Sequence, residues 1–126
     1  FDLDNNSRRD TDLPHMLVNR IDWEEIVSKM GIGNKDKIVI YDNSDVISSC
    51  RCWFNFIYFG HDPKLIHVLN GGFKKWIKEE REISNNSPNF EKSNFYILAS
   101  NEKRYKKINN SIFIKSILNY NMNCKG

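Results

Sequence analysis

The sequence predicts an α/β fold with a mostly parallel sheet flanked by helices. Three observations carry that expectation. Residues 37–42 and 65–69 are short runs rich in β-branched and aliphatic side chains, the pattern of strands buried on both faces, as in a parallel sheet. Each run is followed by a polar or glycine turn and then by apolar residues at helical spacing. Strand, helix, strand and helix fit into about 45 residues, which is the βαβ rhythm. At 126 residues the chain is long enough for one core and too short for two ordinary domains.

Taken in order, residues 1–20 are polar and irregular, with Phe1, Leu3, Leu13, Pro14, Met16 and Leu17 as anchors. Pro14 and the Asp and Asn content break any period, so a loop packed across the core is expected. Asp22 reads as a helix N-cap, with Trp23, Ile26, Val27 and Met30 recurring at helical spacing and Gly31 as the stop. Glu24 and Glu25 fall in the first turn, where the helix dipole favours them. The strand at 37–42 follows, then a polar turn (Asn43, Ser44, Asp45), then an apolar helix from about Ile47 to Phe59 ended by Gly60. Residues 65–69 form the second strand and Asn70-Gly71-Gly72 the next turn. Phe73, Trp76 and Ile77 mark a short amphipathic helix. Residues 84–94 are a polar loop, and 95–98 a third strand. The last 25 or so residues carry Ile108, Ile112, Phe113, Ile117 and Leu118 at roughly helical spacing, expected as one or two helices.

Composition narrows the function classes. The longest apolar run, around residues 52–60, is far short of the roughly 20 residues of a membrane span, so no membrane is expected. Three cysteines are too few, and odd in number, for a disulfide-built secreted fold. The first residue is Phe and no basic-then-apolar leader is present, so a cytoplasmic, reducing compartment is expected for a chain whose natural start lies elsewhere. The chain holds 17 Asn, 15 Ile, 13 Lys and one Ala, a skew typical of AT-rich coding sequence. Residues 1–91 hold 12 Lys or Arg against 15 Asp or Glu, and residues 92–126 hold 7 against 1. That basic end is Lys-rich and has no nucleic-acid motif, so nucleic acid is not the expected partner.

The chemistry-bearing residues are few. Cys50 and Cys52 lie two apart on a helix, about 200° of rotation, so their sulfurs face different ways and cannot share a metal or a disulfide. They read as small buried side chains, and Cys124 as a bystander near the end. The place for a nucleophilic thiol in such a fold is the turn after a buried strand, where backbone N–H groups and a helix N-terminus stabilise an anion. After the 37–42 strand that place is held by Asp42, suited to accept turn hydrogen bonds and to cap the helix. No Cys-x5-Arg loop exists, since Phe56 and Tyr58 stand where the arginine would be. His15, His61 and His67 have no metal-ligand spacing, and neither a metal nor a cofactor is expected. His67 reads as a core or edge residue, His61 as a turn or C-cap residue, and His15, in an apolar loop context, as a candidate contact. Gly71-Gly72 reads as a tight βα turn. Arg51, inside an apolar helix, must reach a carboxylate or the surface, with Asp42 or Asp45 as partner.

Several of these motifs recur together in one known family. The opening Phe-Asp-Leu-Asp, Leu-Pro-His-Met-Leu (13–17) and Gly-Ile-Gly-Asn-Lys-Asp ahead of Ile-Val-Ile-Tyr-Asp (38–42) come first. Arg51, Trp53, Phe59-Gly60-His61 and Val-Leu-Asn-Gly-Gly-Phe-Lys-Lys-Trp (68–76) follow. In this order and spacing, residues 1–98 resemble the first rhodanese domain of the two-domain thiosulfate and 3-mercaptopyruvate sulfurtransferases. The resemblance implies a rhodanese-like domain over 1–98, incomplete at its N-terminus, and a basic tail or linker remnant over 99–126. It also implies a non-catalytic role. Such enzymes carry sulfur on a cysteine of a second domain, in a Cys-Gly-x-Gly-type loop that this chain lacks, and the matching first-domain position is Asp, here Asp42. The implied partner is that second rhodanese domain, with His15, Asp42 and Arg51 as candidate cleft or interdomain contacts. Departures include Val18 in place of the usual Pro and Phe54 in place of a second Trp. The alternatives are a stand-alone inactive module that binds a protein partner, and a remnant of a decaying gene.

Overall fold

The computed structural model of the chain describes residues 1–43 and 47–100. The expected C-terminal helices, Cys124, and Ser44 and Asp45 of the first turn lie outside the described residues.

Helix α1 spans Arg20–Lys29. Its N-cap is Asn19, not Asp22: Asn19 is extended (φ −74°, ψ 172°), and its side-chain oxygen accepts the Asp22 N–H at 2.9 Å. Asp22 sits in the first turn, where it also accepts the Asn19 amide at 2.8 Å. Both residue types cap well; the extended backbone at 19 puts the cap there. Trp23 and Val27, four apart, are fully buried. Trp23 stacks on Phe59 (centroids 4.9 Å, 15°) and meets Phe56 edge-on (5.1 Å, 75°). Each such burial is worth roughly 1.5–3 kcal/mol.

Strand β1 (Ile38–Ile40) and strand β2 (Ile66–Val68) form a two-stranded parallel sheet with Ile38 opposite Ile66 and Ile40 opposite Val68. Both strands are shorter than expected, and β1 is not covered on both sides. Ile40 is buried, but Val39 and Tyr41 are 54% and 59% exposed. The Ile40 carbonyl accepts the Leu69 N–H at 2.8 Å, so Ile38 and Ile40 turn their backbone groups to β2. Those of Val39 and Tyr41 turn to the open edge.

Between the strands runs α2 (Ile47–Tyr58), the central helix of the core. Phe56, Ile57 and Cys52 pack with Ile40 and Ile66 of the sheet and with Trp23 and Val27 of α1. The helix closes with paired hydrogen bonds, Gly60 N–H to Ile57 O (3.1 Å) and His61 N–H to Phe56 O (3.0 Å), a Schellman ending. Gly60 is left-handed (φ +88°), and a Cβ there would lie 2.0 Å from the Ala99 carbonyl oxygen. A short 3-10 turn (Pro63–Leu65), capped by the Asp62 carboxylate, leads into β2. The last helix, α3, is Gly72–Lys78.

Residues 95–98, expected as a third strand, join no strand. The Ser93 N–H donates to the Ser28 carbonyl at 2.9 Å, and the backbone of residues 95–97 is held by side chains. Ser28 Oγ accepts the Phe95 N–H (3.1 Å), Asn34 Oδ1 accepts the Tyr96 N–H (3.0 Å) and Glu24 Oε1 accepts the Ile97 N–H (2.7 Å). The Asn34 amide donates back to the Tyr96 carbonyl at 2.5 Å, and the Arg20 guanidinium to the Ile97 carbonyl. Phe95 and Ile97 fill the core, while Tyr96 and Leu98 face out. The period-2 alternation is therefore that of a strand; the hydrogen bonding is that of a docked strap, because α1 and the loop after it offer polar side chains and no strand edge.

Two outcomes test these contacts. Gly60→Ala combines left-handed strain with a backbone clash and should cost about 2 kcal/mol or more in urea unfolding. Gly33→Ala, whose Cβ would come no closer than 3.5 Å to Asp36, is the near-neutral control. Ser28→Ala strands the Phe95 N–H and should cost about 1–3 kcal/mol. Hydrogen exchange should then quicken at Phe95 and its neighbours before it does in α2.

Candidate functional site

Asp42 stands at the carboxyl end of β1, where two chain turns meet. Its carboxylate accepts the Ser49 N–H in the first turn of α2 at 3.1 Å. Its backbone carbonyl accepts the Phe73 N–H in the first turn of α3 at 3.0 Å. Gly72 is left-handed (φ +59°), and a Cβ there would come within 3.1 Å of that same carbonyl, so the approach of α3 to β1 needs a residue without one. The expectation that Gly71-Gly72 makes a tight βα turn is met. Helix N-termini favour negative charge. At α2 that charge is supplied by the protein's own carboxylate.

Beside this turn lies an open cavity of about 450 Å³. It is lined by the polar residues Asp42, Asn43, Ser48 and Ser49 and by the apolar Ile40, Cys52 and Phe56. Cys52 is the thiol nearest to a reactive position. Burial pushes it up to about 11, so at neutral pH it is a protonated, apolar side chain. Cys50 and Cys52 are both buried thiols, and only Cys52 joins the main core cluster, as expected for residues on different faces of the helix.

Arg51 does not pair with Asp42. Its guanidinium donates to the backbone carbonyl of His15, and Asp45 lies outside the described residues. Burial pushes the Arg51 pKa below its ordinary value, and its Nε is buried without a hydrogen-bond partner. The structure thus brings Arg51 and His15 together, with Asp42 tied to the start of the same helix.

His15 sits on an exposed loop in the left-handed region (φ +58°), which costs a non-glycine residue on the order of 1 kcal/mol. Its Nε2 lies 2.7 Å from Asp4 Oδ1. Asp4 was not singled out by sequence reasoning. The two residues are eleven apart on an irregular loop, and no helical or strand period links them. The surviving signal is the pairing of an Asp-rich opening with Leu-Pro-His further on. The loop closes through an isolated bridge, Arg8 N–H to Met16 O at 3.0 Å, and Thr11 Oγ1 donates to Leu13 O at 2.8 Å. What this builds is an imidazole oriented by a carboxylate, with its second ring nitrogen available to an incoming group.

The other histidines are structural. His61 is buried, its ring stacked on Phe95 (5.9 Å, 9°) and its Nε2 3.2 Å from the Asp36 carbonyl. It serves as the C-terminal turn residue expected and as core besides. His67 faces outward on β2 rather than into the core. Among the described residues no three His, Cys, Asp or Glu side chains gather to hold a metal, and no helix is long and apolar enough to cross a membrane.

Comparison with known proteins agrees with this architecture. The chain is 43% identical over 76 residues to thiosulfate/3-mercaptopyruvate sulfurtransferase 1, mitochondrial, of Arabidopsis thaliana, covering 60% of this chain and 20% of that protein. It is 32% identical over 97 residues to mouse 3-mercaptopyruvate sulfurtransferase, covering 75% of this chain and 32% of that one. The crystal structure of Tum1 from Saccharomyces cerevisiae superposes with a TM-score of 0.70 at 26% identity, over 79% of this chain and 33% of that one. The crystal structure of SseA from Escherichia coli, which has the rhodanese fold, superposes with a TM-score of 0.73 at 23% identity, over 80% of this chain and 37% of that one. The chain thus spans about a fifth to a third of the length of these curated relatives. The rhodanese-like domain family model matches residues 8–79, more than half of the sequence. A parallel β1–β2 pair, three helices around it and that match together place the chain in the rhodanese-like domain family, related to the thiosulfate and 3-mercaptopyruvate sulfurtransferases.

Proposed function

We propose that this chain is the first rhodanese-like domain of a longer sulfurtransferase, the domain without the sulfur-carrying cysteine, which belongs to a second rhodanese domain. The observation that carries this reading is the carboxylate of Asp42 hydrogen-bonded into the N-terminus of α2. A persulfide-forming thiolate needs that electropositive position, and here the side chain of Asp42 occupies it. The remaining candidate in the cavity, Cys52, is held in its thiol form by burial. The short share of its relatives that the chain covers supports a domain within a longer protein. The reading takes residues 1–98 as that domain and 99–126 as a basic linker, in a cytoplasmic setting to which two buried thiols are suited. The close-packed core around Trp23 and Phe56 speaks for a folded module over a decayed remnant.

His15 gives the domain a part in the reaction. When a thiolate takes sulfur from a donor such as 3-mercaptopyruvate, the carbon–sulfur bond breaks with its electron pair on carbon, and that carbon needs a proton. An imidazole oriented by Asp4, on an exposed strained loop, is suited to relay it to a donor held against the second domain.

Three outcomes follow. The chain alone should form no thiocyanate from thiosulfate or 3-mercaptopyruvate with cyanide; turnover that Cys52→Ser or Cys50→Ser abolishes would sink the proposal. In the longer protein, His15→Gln should lower kcat by about 10²-fold or more, with Asp4→Asn in the same direction. For Cys52, the raised pKa sets the sign of a pH effect. Above pH 9 the unfolded thiol ionises while the folded one does not, so stability should fall between about pH 9 and 11. Cys52→Ala should show less of that fall in urea titrations, and iodoacetamide should label folded Cys52 slowly at pH 8.

A further inference from the structure

The Arg51 guanidinium is an odd group to find in the middle of α2. Its neighbours Cys50 and Cys52 are buried, its Nε is buried and unpartnered, and the hydrogen bond it makes goes to a backbone carbonyl rather than to a carboxylate. A half-buried cation costs free energy wherever it sits, and an apolar side chain would serve the helix at least as well. The carbonyl it reaches belongs to His15, the residue whose left-handed backbone needs outside support. α2 is the most firmly held element of the fold: it packs on both strands and its first turn is bound to Asp42.

We propose that Arg51 is a positioning residue for the His15 imidazole, fixing the backbone of residue 15 so that the ring meets Asp4 and keeps its other nitrogen outward. The assignment deepens the proton-relay reading of His15 and rests on it. Arg51 touches neither donor nor acceptor. It couples the backbone of His15 to the same helix whose first turn is bound to Asp42. The bonds of Arg8 to Met16 and Thr11 to Leu13 close the loop on itself, and Leu17 and Val18 pack its end on the core; Arg51 hydrogen-bonds the loop to α2.

The test is nuclear magnetic resonance on the chain itself, native and with Arg51→Lys, Arg51→Met, Asp4→Asn and each Arg51 variant combined with Asp4→Asn. Two signals of His15 are read: the ring Cε1–Hε1 cross-peak and the strong intraresidue amide–Hα contact of a left-handed residue. Asp4→Asn should move the ring cross-peak in the native chain. In Arg51→Met that response should fall by more than half and the left-handed signature should be lost, while Ile57 and Ile66 methyl signals stay in place. Arg51→Lys, with one donor group and the same charge, should keep part of the response. An Asp4 response and left-handed signature that survive unchanged in Arg51→Met overturn the proposal. So does loss of the core methyl signals in both Arg51 variants, which would make the arginine a folding residue. Turnover is not read, so a failed relay appears separately, as a native ring cross-peak indifferent to Asp4→Asn; the left-handed signature alone then decides for or against Arg51.

Discussion

Hydrogen bonds made by the carboxylate and the carbonyl of Asp42 govern how the rest of the domain is laid out. The carboxylate takes a backbone N–H from the start of α2 and the carbonyl takes one from the start of α3. The end of β1, both helix entries and the Gly72 approach are therefore one joint. A charge-assisted bond to a helix start is among the stronger local interactions available. It also consumes the electropositive potential of the α2 N-terminus. In an α/β domain that potential is the main means of turning a side chain into a stable anion. A carboxylate side chain at that position strengthens the joint.

Much of this was legible from residue order, and the failures are physical. The two strands, the α2 and α3 helices, the Gly60 stop and the capping role of Asp42 follow from β-branched runs, helical spacing and glycine placement, which are local signals. The N-cap was displaced because Asn19 and Asp22 are chemically equivalent caps, and only the extended backbone at residue 19 separates them. Residues 95–98 carry a true strand alternation, but whether such a segment pairs with a strand or with side chains depends on which neighbour the fold presents. The outward face of Val39 and Tyr41 is invisible to a composition argument, because a strand open on one side and one buried on both can share the same β-branched run.

The site shows the same division. Asp42 was readable from its place after a strand, and Arg51 from its oddity inside an apolar helix. The Asp4–His15 contact was not readable, since it is made by a loop that folds back through a single bridge. Nor was the carbonyl partner of Arg51, because backbone acceptors leave no mark in a sequence. Loops that hold function in irregular backbone are where residue patterns say least and geometry says most.

Among the described residues no strand pairs with the outer margin of β1, and this has a practical consequence. Outward-pointing amides beside Val39 and Tyr41, next to an apolar hollow, make a template onto which a foreign strand can add, and this margin is short but carries no lysine between residues 38 and 43 to repel one. In the chain by itself this margin is a place where one copy can add a strand to another.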